Sequence, residues 1–169
     1  MKEVLEKIAK KAGASLYFNE ALVYKGFGVR DTATNVKIVL EYRNKTVVLT
    51  NFLGVGATGL VYCRDLSYNA SGEFELVTRS HWETLFFRNR NRFKLNCDHS
   101  GIRNFIRTNS AVKTLKNLAN EQAFEPRITG KNVAENFHLE MEYHLAFENW
   151  WEAILPILKF YKDFIDRHN

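Results

Sequence analysis

The chain has 169 residues, 46% of them hydrophobic and 25% charged, with only two prolines and nine glycines. That balance excludes collagen-like, low-complexity and disordered classes and suits one domain spanning residues 1–169. No run approaches the roughly 20 apolar residues of a membrane span, and residues 1–12 lack the apolar stretch of an export signal. The expected setting is a soluble, cytoplasmic one in which Cys63 and Cys97 stay reduced. The net charge of +5 is unevenly spread: residues 79–131 carry eleven Lys/Arg against four Asp/Glu, and residues 132–169 carry three against seven. Such asymmetry attracts an anionic partner or pairs one part of the chain with another.

In chain order, Met1, Val4, Leu5, Ile8 and Ala12 fall on one helical face, with Glu3/Lys7 and Glu6/Lys10 as i,i+4 pairs, so a helix is predicted over residues 2–12 with Gly13 as its C-cap. Residues 15–27 read as one or two strands. Val36, Ile38, Leu40 and Tyr42 alternate with polar neighbours, and residues 46–50 answer them across an Asn44-Lys45 turn, which predicts a hairpin. Residues 60–64 and 73–78 are further strands, with a turn at 67–72 between them. Ser80-x-x-Glu83 has the form of a capping box for a short helix to Phe87. Residues 93–96 read as a strand. Residues 102–118 read as a helical region broken near Thr108-Asn109-Ser110. Residues 137–147 alternate most regularly of all. Asn149-x-x-Glu152 resembles a second capping box opening a helix to about Arg167, which Pro156 should kink. Hairpins dominate and no β-α-β repeat occurs. The fold class predicted is therefore α+β: an antiparallel sheet of about five to seven strands with an N-terminal helix, a central helical region and a long C-terminal helix on one face.

Four constellations invite a functional reading. Gly54, Gly56 and Gly59 spell G-x-G-x-x-G, but residues 60–63 continue as a strand, whereas a dinucleotide site needs a helix there. A loop between strands is expected instead. His138, Glu140, Glu142 and His144 share one face of a strand, where i,i+2 neighbours lie ~6.5–7 Å apart. With His99 they form a candidate metal set, against the plainer reading of a solvated strand face. Arg88, Arg90, Arg92 and Lys94 alternate beside phenylalanines. Extended, they make a basic row for an anion or nucleic acid, enlarged by Arg103, Arg107, Lys113 and Lys116 across the 88–116 segment. Trp150, Trp151, Phe160 and Phe164 belong to a helix apolar around most of its circumference, which reads first as a core helix and, if one side faces a partner, as a contribution to self-association as a homo-oligomer.

No nucleophile–base signature appears. Cys97 near His99 reads as a structural cysteine, so no catalytic residue is assigned and no cofactor is implied. The leading expectation is a non-catalytic protein-interaction or binding module. An anion or nucleic-acid binder, and a small enzyme whose site assembles from distant residues, are the alternatives.

Overall fold

The computed structural model of the chain describes residues 1–24, 30–54, 56–67, 72–79 and 92–168. Helix α1 (Lys2–Ala12) stops as predicted at Gly13, whose φ of 69° lets the chain turn back on the helix. Its buried stripe is Leu5, Ala9 and Ala12, so it is narrower than the periodicity suggested: Met1 and Val4 face outward. The strands follow as β1 (Ser15–Tyr24), β2 (Arg30–Tyr42), β3 (Lys45–Leu53), β4 (Thr58–Ser67), β5 (Phe74–Thr78) and β6 (Phe93–Cys97). Helices α2 (Ser100–Thr108) and α3 (Ser110–Glu121) precede β7 (Arg127–Val133) and β8 (Asn136–His144). A 3-10 turn (Trp150–Ala153) leads into α4 (Ile154–His168).

The class is α+β with an antiparallel sheet, as the alternation predicted, but the sheet has eight strands and not five to seven. Its order is β1-β2-β3-β4-β8-β7-β5-β6, with every neighbouring pair antiparallel. The strand that sequence reading passed over is β7. Its middle residue is Gly130, and a side chain there would come within 2.3 Å of the Phe74 ring and 2.5 Å of the Phe137 ring. The two phenylalanines fill the space a β-carbon would need, and the glycine that admits them erases the alternation.

Three local expectations are corrected. The β2–β3 turn is Arg43-Asn44, with φ of 47° and 60°, one residue earlier than expected; Tyr42 pairs with Lys45. That register keeps Leu40 and Val47 opposite each other on the buried side. Asn149 makes no side-chain cap and adopts φ 53°, so the chain enters α4 through the 3-10 turn instead. Pro156 then falls in the first turn of α4, where its missing N–H has no acceptor to lose, and no kink is required of it. The break in the central helical region is real: Asn109 ends α2 and caps α3, its Oδ1 accepting from Val112 N at 3.0 Å. The capping box at Ser80–Glu83 lies outside the described residues, as does most of the predicted turn at 67–72.

The core is built from one alternation of the strands. Val36, Ile38 and Leu40 of β2, Val47 and Leu49 of β3, Val61 and Cys63 of β4, and Phe137, Leu139, Met141 and Tyr143 of β8 are all buried. Helix α4 lies against them. Phe164 meets the rings of Phe74, Phe105, Phe137 and Phe160 at centroid distances between 5.8 and 6.1 Å. Tyr161 donates its hydroxyl to Val61 O at 2.8 Å, so the helix is bonded to the sheet as well as packed on it. Among the described residues no helix is long and apolar enough to cross a membrane.

Candidate functional site

The other alternation of the strands forms continuous lines across the sheet. One line runs Val39, Val48, Tyr62, Glu140, Thr129, Glu75. The next runs Tyr17, Lys37, Thr50, Leu60, Glu142, Arg127. A third carries Phe52 between Asn35 and Thr58. Apolar and aromatic residues therefore gather on β1–β4 and charges on β8, β7 and β5. Tyr17 is 58% exposed and Phe52 37%, among the few large apolar side chains the chain leaves in solvent. The Arg64 guanidinium lies over the Tyr62 ring, 4.4 Å from its centroid. On the charged half, Arg127 donates through Nε and Nη2 to Glu75 Oε1 at 2.8 and 2.6 Å, and these bonds hold the Glu75 carboxyl below the usual carboxylate range.

His138, Glu140, Glu142 and His144 do share this alternation, with Lys131 and Arg127 opposite His138 and Glu142. His99 is not brought to them. It caps α2, its Nδ1 accepting from Ile102 N at 3.3 Å, and its ring lies beside Gly101 and Arg167 near the end of α4. Among the described residues no three His, Cys, Asp or Glu side chains are disposed to hold a metal ion. Glu142 and His144 do line a cleft of about 510 Å³ with Glu125, Arg127 and Leu60. Its floor is fixed by Gly59, where a β-carbon would fall 2.3 Å from the Tyr143 ring and 2.6 Å from Asn51 Oδ1. Tyr143 donates to that oxygen at 2.7 Å, and burial pushes its phenol well above the ordinary range. The glycine string is thus the β3–β4 connection, and its last glycine makes room for a core hydrogen bond.

The basic row is interrupted. Arg88 and Arg90 lie outside the described residues, and Lys94 is exposed on β6. Arg92, which the row needs outside, is 3% exposed. Strand β6 begins only at Phe93, and the Arg92 side chain turns inward. Its Nε donates to Arg79 O at 3.1 Å, its Nη1 to Ala119 O and its Nη2 to Glu125, tying the end of β5 to the end of α3. Arg92 is a clamp and is not offered to an external anion.

The expected self-association face is also spent inside the chain. Phe160 and Phe164 are 0% exposed and Trp150 6%, and Trp151 is half-buried. The apolar circumference of α4 is wide because sheet, α2 and α3 all pack against it, so Trp150, Phe160 and Phe164 are covered by the chain itself and Trp151 alone of the four keeps part of its surface. Cys97 donates its thiol toward His99 O at 3.4 Å, and Cys63 is buried with its thiol pushed up to about 11, both as structural cysteines.

Two further hollows open elsewhere among the described residues. One, of about 510 Å³, lies between α1, α3 and α4, where Lys159 and Lys162 face Asp163 and Asp166. The other, of about 320 Å³, lies where the β5–β6 edge of the sheet meets the α2–α3 elbow. No sequence signal marks the first, and of the second only Arg107, Lys113 and Lys116 stood out in the basic segment, because each hollow assembles from elements far apart in the chain. No protein-family model, no curated protein and no solved structure matches this chain.

Proposed function

We propose that the chain is a single α+β domain acting as a non-catalytic interaction module, with its helices on one face of the sheet and its docking surface on the other. One observation carries the reading: the outward alternation of β1–β4 places the exposed Tyr17 and Phe52 and the half-buried Val39, Leu60 and Tyr62 on one connected area around the covered Val48. A solvated sheet face is normally polar at these positions, and a connected apolar area marks an interface. The partner inferred is a second copy. The four strands β1–β4, ~4.8 Å apart and about ten residues long, present roughly 650 Å², at the lower end of the ~600–1,000 Å² per partner of a standard complex. A two-fold axis along β3 would lay the apolar half of one copy on that of the other and leave Glu140, Glu142 and Arg127 at the rim.

The test is solution mass across a concentration series for the full chain and for Tyr62→Glu. A dimer of the 19.7 kDa chain is expected, with Tyr62→Glu shifted to monomer and its melting temperature unchanged. A monomeric parent at all concentrations, or a dimer indifferent to Tyr62→Glu, would overturn the reading.

A further inference from the structure

We propose that the hollow at the α2–α3 elbow binds a free, single-tailed amphipathic anion, a carboxylate of about ten non-hydrogen atoms. The inference does not depend on the sheet face, which lies elsewhere on the molecule. Leu76 and Leu95 from the strands and Ile106 and Val112 from the helices give the hollow an apolar floor, and Arg107, Lys113 and Lys116 stand around it.

The cations distinguish this hollow from the others. Arg107, Lys113 and Lys116 have no hydrogen-bond or ion-pair partner among the described residues. The lining of this hollow contains no acidic residue, whereas the cleft between α1, α3 and α4 sets Asp163 and Asp166 beside its lysines and the cleft at Gly59 sets Glu125 and Glu142 beside Arg127. In the larger cleft between α1, α3 and α4, Lys159 is bonded to Asp163 at 3.0 Å and Lys162 donates to Ala12 O, so of its three lysines only Lys11 is left beside the two aspartates. At the elbow, Lys113 and Lys116 stand three apart on one helix, where like charges repel. Lys113 also sits near the N-terminal end of α3, where no acidic residue offsets the helix's own partial positive charge. The positive potential is therefore uncompensated by the described residues.

The floor decides what kind of anion fits. A bare inorganic ion leaves the half-buried Leu95 against water and the hollow above the buried Leu76, Ile106 and Val112 unfilled, whereas an aliphatic tail covers the first and packs on the others. At about 30 Å³ per water-sized group, 320 Å³ holds about ten such groups. The head group then lies among the three cations and the tail on the floor, a pocket at the small end of the usual range.

Calorimetric titration of the full chain with sodium octanoate tests this. A single saturable site is expected, weakening as salt is raised. Octanol, of the same length without the charge, should bind more weakly, and acetate should not register. Lys113→Gln combined with Lys116→Gln should weaken octanoate about fivefold, the sum of two exposed ion pairs, and leave octanol unchanged. Leu95→Trp, which fills the floor, should abolish uptake of both. Should that variant fail to fold, the two surface lysine substitutions carry the test. Absence of saturable octanoate uptake, or uptake undiminished in the double lysine variant, would overturn the proposal.

Discussion

The packing around α4 and the hollow at the α2–α3 elbow are made of the same kinds of residue and end differently. On the sheet side of α4 the rings find one another: Phe164 touches four phenylalanines and stacks on His168 at 4.1 Å. At the elbow, Leu95, Ile106 and Val112 meet without filling the space, and unpartnered cations stand beside it. Closed packing of the first kind is what stability requires of a core. Apolar surface left open beside uncompensated charge is destabilising by itself, and so is the better place to look for a ligand.

The largest effect should come from opening the closed region. Phe164→Ala should lower unfolding free energy by about 3–5 kcal/mol in a denaturant titration. A loss below about 1 kcal/mol would mean that the aromatic lattice is not load-sharing in this way.

Arg92→Ala should come next. It leaves two backbone carbonyls, Arg79 O and Ala119 O, without their donor and removes a part-buried ion pair, at a cost of about 2–3 kcal/mol. Glu125→Gln should cost less, since Glu125 is 41% exposed and Arg92 keeps its carbonyl bonds. A basic row open to solvent would show the opposite pattern, with Arg92→Ala neutral for stability.

A smaller, pH-dependent effect should come from His168. Burial holds its imidazole below the ordinary 6.5, with Arg167 and His99 acting in the same direction and the 2.7 Å hydrogen bond to Phe164 O opposing them. The neutral ring is therefore favoured by folding. Its contribution is fully present above pH 6.5 and is lost as pH falls through the lower folded value. Melting temperature should decline on acidification below neutrality, and His168→Phe should lack that part of the decline. An identical profile in the variant would show that the ring carries no linked proton.

The smallest effect sharpens the contrast most. Lys113→Gln should leave stability unchanged or raise it by about 0.2–0.5 kcal/mol, because it relieves repulsion from Lys116. A core-supporting lysine would instead lose stability when changed, which a thermal melt at low salt resolves.

Most of the fold was legible where a single periodicity governed a whole element. In β8, Phe137 to Tyr143 alternate without exception, and α1 and the β2–β3 hairpin announced themselves in the same way. Legibility failed where a tertiary neighbour dictated the residue. Gly130 hides β7 because Phe74 and Phe137, both remote in sequence, occupy its side-chain space. Arg92 carries the right spacing for an outward row, yet it points inward because Arg79, Ala119 and Glu125 gather there. The apolar circumference of α4 marks it as a core helix, but a sequence does not say whether any face of such a helix is left for a second copy. The elbow was half legible: its cations stood out in the basic middle segment, but its floor comes from β5, β6, α2 and α3 together.

The central claim is that the outward face of the sheet is the working surface and the α4 face is closed. Nuclear magnetic resonance with a soluble paramagnetic probe, run on dilute and concentrated chain, tests both halves at once. The account predicts that Tyr17, Phe52 and Tyr62 broaden in the dilute sample and become protected as concentration rises, with Phe160 and Phe164 protected throughout. Outward aromatics that stay equally accessible at every concentration, or Phe160 and Phe164 broadened in the dilute chain, would contradict it.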